Sequence, residues 1–158
     1  KSSSAISLGD NVLKKELDFN NDIFVFETVM RVRHIELDMA QYLTLESLTA
    51  LLCEARQRFF YSRGIKEINA NYHGLIIDEL QLSIVSRVQA REELLFEVGV
   101  EPLYDNGGTI VIKTTRMNTG EIVAKARQHF VNYDLQLNKP IALDKTMKEA
   151  LYPYLYRI

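Results

Sequence analysis

The chain has 158 residues, of which 47% are hydrophobic and 25% are charged. That length suits one globular domain with short extensions, and the composition excludes a globally disordered chain. The 19 Lys and Arg against 21 Asp and Glu leave a net charge of −2, which excludes a broadly basic nucleic-acid binder.

The two ends of the chain differ from its centre. Residues 1–21 are a polar lead-in without sustained apolar periodicity, which leaves open a frayed tail or a docked arm. Residues 22–143 carry the strongly periodic segments and predict the folded domain. In residues 144–158, Asp144 predicts the cap of a short helix that Pro153 stops, followed by an apolar tail that we expect to dock.

Inside the domain, the hydrophobic period changes from two to between three and four, and then returns to two. Alternation over 22–34 predicts a half-buried strand. Apolar spacing over 45–63 predicts one long helix, with Thr44 as its N-cap and Gly64 as the residue that ends it.

Four further alternating segments follow the helix. They predict strands over 75–88, 93–103, 109–117 and 121–133. Glycine-containing turns at 105–108 and 118–120 predict that the last three strands form an antiparallel meander. The fold class is therefore α+β, with a curved sheet of about five strands around one helix. Such a sheet has exposed edges, which favours a homo-oligomer.

Composition also limits the location and the cofactors of the chain. The single cysteine, Cys53, excludes an internal disulfide and suits the reducing cytoplasm. No apolar run approaches the ~20 residues of a membrane span, and no secretory signal pattern is visible, so we expect neither. None of the three His is spaced as a metal ligand, which predicts no metal site.

The segment between the first strand and the helix carries two acids, Glu36 and Asp38. The first amides of a helix lack internal partners and can stabilise an oxyanion. A carboxylate a few residues upstream could act as a base or a nucleophile on a carbonyl held there. An Asp at such a position also commonly serves as a turn or capping residue, so both interpretations stay open.

These residues resemble a known family. Val-Arg, then Glu-x-Asp, then Glu-Ala-Arg on the helix resemble the acyl-CoA thioesterases of the hotdog fold, in the 4-hydroxybenzoyl-CoA thioesterase group. The resemblance spans about residues 24–143. It rests on Val32-Arg33, Glu36-x-Asp38, Glu54-Ala55-Arg56, Ser86 to Arg91 and Phe130 to Asp134.

The resemblance implies a hydrolase acting on an acyl-CoA or an acyl carrier protein thioester. It makes Asp38 the catalytic carboxylate, with the backbone N–H groups of Thr44 and Leu45 polarising the thioester carbonyl. It also implies a homodimer or homotetramer with the site between subunits, and no cofactor other than the coenzyme A of the substrate. The residues expected to contact substrate are His34, Gln41, Tyr42, Arg87 and Arg91, the arginines through phosphates.

The sequence departs from the family at several positions of this loop. Glu36 stands at a usual Asp position, and Gln41 stands where the family often has Gly. These changes keep open a non-catalytic module that binds acyl thioesters, and a related lyase. Glu54, on the helix, is a rival catalytic acid, although its position favours a structural ion pair.

Overall fold

The computed structural model describes residues 4–7, 12–13, 17–66 and 68–151. Two helices are present, α1 (Leu45–Ser62) and α2 (Lys145–Leu151). The strands are β1 (Ser4–Ser7), β2 (Val12–Leu13), β3 (Phe24–Arg31), β4 (His73–Ile84), β5 (Glu93–Val100), β6 (Gly107–Arg116), β7 (Ile122–Asp134) and β8 (Lys139–Pro140).

The sheet is antiparallel, and five long strands form its body in the order β4-β7-β6-β5-β3. The predicted meander is confirmed, because β5, β6 and β7 pair in sequence. Short strands extend this body: β1 pairs with the end of β4, β2 pairs with β1, and β8 pairs with β7. The sheet curls around α1, which confirms the predicted α+β architecture.

Helix α1 supplies one wall of the core. Its buried side chains recur at helical spacing, as Leu48, Leu52, Ala55 and Phe59 show with exposures of 4% or less. They pack on the inner face of the sheet, where β7 and most of β5 bury alternate residues and β6 contributes Ile110 and Ile112; β6 itself is buried on both faces. The helix ends as predicted, because Gly64 has φ 74°, a conformation that glycine adopts without a steric penalty.

The turn before β6 differs from the prediction. Gly107 and Gly108 were expected to supply positive φ in a hairpin turn, yet both lie inside β6, and neither has a positive φ. Gly107 is needed for space, because a Cβ there would overlap the carbonyl oxygen of Phe130. Gly120, with φ 76°, does serve the turn between β6 and β7 as expected.

Residues 17–23 pack on the outer face of the sheet, opposite α1. The Arg127 guanidinium lies 5.0 Å from the Phe19 ring centre and donates to the Asp18 carbonyl at 3.2 Å. Gly99 lets this segment approach, since a Cβ there would be 2.5 Å from the Ile23 carbonyl oxygen. Of the two alternatives for the lead-in, the docked arm therefore holds for residues 17–21.

The C-terminal helix begins as predicted. The Asp144 carboxylate accepts a hydrogen bond from the Met147 N–H at 2.8 Å. Leu151, at the end of α2, is fully buried in the core. Pro153 and the apolar tail lie outside the described residues. In the part of the chain that the structure describes, no helix is long and apolar enough to cross a membrane.

Candidate active site

The loop between β3 and α1 is closed by the Asp38 side chain. Its Oδ1 accepts hydrogen bonds from the backbone N–H of Ala40 at 2.9 Å and of Tyr42 at 3.0 Å. The Asp38 N–H in turn donates to the Tyr42 carbonyl at 2.8 Å. The Oδ2 atom accepts no hydrogen bond from any described residue. One carboxylate oxygen therefore organises the loop, and the other is available to a ligand.

Gln41 holds a glycine-like backbone conformation in this loop. Its φ is 69°, in the left-handed region that side chains with a Cβ adopt at a cost. The Gln41 N–H donates to the Asp38 carbonyl at 3.0 Å, which completes the turn. The loop thus keeps the conformation that a glycine would give it, and the Gln41 side chain is exposed to solvent.

The N-terminus of α1 follows this loop directly. Thr44 caps the helix as predicted, since its Oγ1 accepts from the Ser47 N–H at 3.0 Å. The Thr44 N–H is already used, because it donates to the Glu36 carbonyl at 3.1 Å. The Leu45 N–H has no acceptor among the described residues. Of the two amides predicted to polarise a carbonyl, Leu45 is the one with a free N–H.

Asp38 and the helix N-terminus line one cavity of about 300 Å³. Its polar lining comes from Asp38, Thr44, Ser86 and Arg87, and its apolar lining from the loop, α1, the end of β4 and the start of β7. The full lining is Asp38, Tyr42, Leu43, Thr44, Leu45, Leu48, Ile84, Ser86, Arg87, Val88 and Val123. The residues that carry a carboxylate, a free backbone N–H and a cation therefore border the same space.

The segment that carries Arg87 is attached to the catalytic loop by its backbone. The Leu43 N–H donates to the Val88 carbonyl at 2.7 Å, and Tyr42 forms a bridge with Gln89. The Arg87 guanidinium lies over the Tyr42 ring, 4.9 Å from its centre. The cavity wall opposite α1 is thus hydrogen-bonded directly to the loop of Asp38.

Arg116 forms hydrogen bonds with the segment that carries Arg87 and with two neighbouring acids. Its guanidinium donates to the Arg87 carbonyl and to Glu92, and to Glu121 at 2.9 Å. The hydrogen bond with Glu92 raises the pKa of Arg116 above its ordinary value. Burial opposes ionisation of Glu92, but its hydrogen bonds with Arg116 and the Gln89 N–H hold its pKa below the usual range.

Three residues expected to contact substrate do not line this cavity. His34 lies exposed in the 3₁₀ turn His34–Glu36, and the Gln41 side chain is exposed to solvent. Arg91 has φ 68° and borders a different cavity, with Arg31 and Met117 among its neighbours. Their roles as substrate contacts remain predictions.

The two rival acids are engaged elsewhere. Glu36 is only 6% exposed, and its carboxylate accepts from the N–H and the guanidinium of Arg33 at 2.7 and 3.0 Å. Glu54 pairs with Arg58 at 2.9 Å, which confirms the structural ion pair. Both acids therefore support the fold around Asp38.

Sequence reasoning missed the far wall of the cavity. Ser86, Ile84 and Val123 come from the end of β4 and the start of β7, and Ser86 donates to the Ile122 carbonyl at 3.0 Å. Ser86 was visible only as the start of a family-like segment. Its place opposite the helix depends on the pairing of β4 with β7, which the spacing of residues does not reveal.

Comparison with solved structures identifies the architecture. The chain has the hotdog fold, with one long helix inside a curled antiparallel sheet. No family model matches the sequence, and no curated protein is similar to it.

Among the similar structures is Slr0204, a 1,4-dihydroxy-2-naphthoyl-CoA thioesterase from Synechocystis (TM-score 0.75, 15% identity, 80% of this chain and 94% of that one). SAV2348 from Staphylococcus aureus, solved in complex with CoA, has a TM-score of 0.77 at 14% identity, with 86% and 87% covered. YbaW from Escherichia coli has a TM-score of 0.71 at 22% identity, with 79% and 95% covered. At these identities the likeness establishes the fold, and the site must carry the functional argument.

Proposed function

We propose that this chain is a thioesterase that hydrolyses an acyl-CoA or an acyl carrier protein thioester, with Asp38 as its catalytic carboxylate. The observation that carries the proposal is the shared cavity. It brings the Asp38 carboxylate, one oxygen of which is free, to the same space as the unpaired Leu45 N–H at the start of α1.

The chemistry requires only these two groups. The thioester carbonyl oxygen accepts from the Leu45 N–H, and the partial positive charge of the helix N-terminus stabilises the developing oxyanion. Asp38 takes a proton from a water molecule whose oxygen attacks the carbonyl carbon. The C–S bond then breaks, the thiolate takes up the proton, and the acid and the free thiol leave. Direct attack by Asp38, through an anhydride that water cleaves, uses the same geometry.

The carrier is proposed to be coenzyme A or a phosphopantetheinyl protein. SAV2348, with the same fold, was solved in complex with CoA, which supports a CoA-type ligand. The arginines predicted to meet phosphates, Arg87 and Arg91, both follow β4 in the chain, and Arg87 borders the cavity of Asp38 whereas Arg91 borders another. The reducing location suggested by the free Cys53 supports action in the cytoplasm.

We also propose that the site is completed in a homodimer. The surface beside the cavity is unusually apolar, since Ile35, Met39 and Leu45 are 84%, 99% and 45% exposed. At one sheet edge, Arg58 and Arg63 donate to carbonyls of β3 and so obstruct strand addition.

At the other edge, β1 covers only residues 81–84 of β4, and Ile68 bridges Gly74. Residues 75–80 of β4 have no strand on that side among the described residues. A second copy added there would bring its own apolar loop near the first. Light scattering of the purified chain tests this association.

A second candidate function is binding without turnover. The specific observation in its favour is that the Asp38 Oδ1 already caps two loop amides, as a purely structural Asp would. Tyr42, which lines the cavity, would then restrict the approach of water. A lyase has no comparable support, because no His lines this cavity.

The deciding experiment is thiol release from short, long and aromatic acyl-CoAs, with wild type, Asp38→Asn and Asp38→Ala. A protein-only blank is needed because Cys53 reacts with thiol reagents. A loss of at least 100-fold in both variants supports the thioesterase. The binding module is supported if calorimetry shows that acyl-CoA binds but neither the wild type nor the variants release thiol. A carrier-protein thioester must also remain uncleaved.

A further inference from the structure

The cavity contains a positive charge that no acid of the described chain neutralises. Arg87 lines it and forms no ion pair with a described residue, whereas Arg31, Arg58 and Arg116 all pair with carboxylates. The Arg87 guanidinium lies over the Tyr42 ring, 4.9 Å from its centre, and the residue is exposed to solvent. An accessible cation without an acid partner at the border of a ligand cavity favours an anionic group on the ligand.

The Arg87 cation lies within reach of a substrate whose thioester is held at Asp38. The Tyr42 N–H is 3.0 Å from the Asp38 Oδ1, and a Tyr ring centre is at most about 5 Å from its own nitrogen. The Arg87 guanidinium carbon therefore lies within about 13 Å of that oxygen. Two anions of the substrate can reach a cation at such a distance: a carboxylate at the end of a short acyl group, and the diphosphate of coenzyme A, which is about thirteen bonds from the thioester sulfur.

The cavity is smaller than the substrate as a whole. Its volume is about 300 Å³, whereas the pantetheine arm alone has about eighteen non-hydrogen atoms at the ~30 Å³ that each takes in a liquid. In the proposed reaction the thioester carbonyl lies at Asp38, so the acyl group is the part of the substrate that we assign to the cavity.

The remaining lining suits a carbon chain between two polar ends. Leu43, Leu48, Ile84, Val88 and Val123 form an apolar wall that joins the Asp38 end of the cavity to the Arg87 end. An acyl group with an apolar body and a terminal anion satisfies both ends. A neutral chain would contact the apolar wall alone and leave the exposed guanidinium to water, so it would lack the ion pair that a carboxylate forms.

We propose that Arg87 binds a carboxylate on the acyl group, so that the substrates are thioesters of short dicarboxylic acids. This inference rests on the proposed function, since it assigns the acyl group to the cavity of Asp38. The expectation that Arg87 binds phosphate is the alternative that the test separates from it.

The test compares glutaryl with pentanoyl thioesters on two carriers, coenzyme A and N-acetylcysteamine, which has no phosphate. We expect the wild type to prefer glutaryl by at least 10-fold in kcat/KM on both carriers, and Arg87→Gln to reduce that ratio to about one. Arg31→Gln, which removes an equal charge from a surface pair with Glu93, keeps the ratio. Equal turnover of glutaryl and pentanoyl overturns the proposal. A loss of activity in Arg87→Gln that is confined to the coenzyme A substrates also overturns the proposal, because it would show that Arg87 binds the phosphates.

A binding arm separates this inference from hydrolysis itself. S-(4-carboxybutyl)-CoA and S-pentyl-CoA are thioethers that cannot be cleaved, and calorimetry measures their affinities without turnover. Tighter binding of the carboxylate by at least 10-fold, lost in Arg87→Gln, supports the inference even if no thioester is cleaved, in which case only the hydrolase proposal fails. Equal affinity of the two thioethers overturns it even in an active thioesterase.

Discussion

Asp38 is expected to have two separable roles, one for each carboxylate oxygen. Oδ1 accepts the Ala40 and Tyr42 amides and holds the loop, whereas Oδ2 is free for chemistry. Asp38→Asn keeps a carbonyl oxygen that can accept both amides but removes the charge. Asp38→Ala removes both functions. The two variants therefore distinguish the loop from the reaction.

The magnitude follows from the two hydrogen bonds. A backbone N–H that loses a capping carboxylate costs about 0.5–2 kcal/mol, and here the two amides share one exposed acceptor. We expect Asp38→Ala to lower the free energy of unfolding by about 1–2 kcal/mol, and Asp38→Asn by less than about 0.5 kcal/mol.

Urea unfolding followed by circular dichroism measures both differences in the free energy of unfolding. The matched control is Asp105→Ala, because Asp105 is exposed and its side chain forms no hydrogen bond among the described residues. An Ala variant as stable as the wild type would refute the structural role of Oδ1. An Asn variant as unstable as the Ala variant would show that the loop needs the charge itself.

Three further predictions concern the frame of the site. Gln41→Gly should raise the free energy of unfolding by about 0.5–1 kcal/mol, because it relieves a φ of 69°; a lower melting temperature would contradict this. Gly99→Ala should cost about 1–3 kcal/mol and speed proteolysis before Phe24, since its Cβ would meet the Ile23 carbonyl at 2.5 Å; unchanged cleavage would contradict it. Gln128→Leu should cost about 1–3 kcal/mol by removing the acceptor of buried Arg56, and adding Arg56→Met should restore part of that loss; an additive double variant would contradict it.

The fold was largely predictable because its elements are strongly periodic. The apolar spacing on α1 and the alternation in β5, β6 and β7 each require one buried face, and only one arrangement buries all of them. The structural role of each glycine was harder to predict. Gly107 looked like a turn residue, but it is needed for close packing against Phe130, and that neighbour lies on another strand.

Only those residues of the site that are close together in the sequence could be predicted. Asp38, Thr44 and Leu45 are neighbours in sequence, so a loop that leads into a helix N-terminus brings them together. The opposite wall, with Ser86 and Arg87, depends on how β4 and β7 pair and on the Arg116 hydrogen bond to the Arg87 carbonyl. Arg87 was expected to contact substrate, but its place beside Tyr42 at the cavity required the structure.

The docked arm shows why the lead-in stayed open between two alternatives. Its contacts are single and distant in sequence, such as Phe19 with Arg127 and Lys113 with Phe24. No hydrophobic period marks the contacts of residues 17–21, because these residues pair with no strand, although β1 earlier in the lead-in does. Polar composition alone therefore could not distinguish an arm from a frayed tail.

The central claim is that the Asp38 carboxylate drives hydrolysis, and one rate ratio tests it most directly. Thiol release is measured with the thioester that wild type cleaves fastest, for wild type and for Asp38→Asn, after unfolding curves have shown both to be folded. The account predicts that kcat falls by at least 100-fold while KM changes by less than about 5-fold. An Asp38→Asn variant that keeps the wild-type kcat would contradict the central claim and would show that Asp38 has a purely structural role.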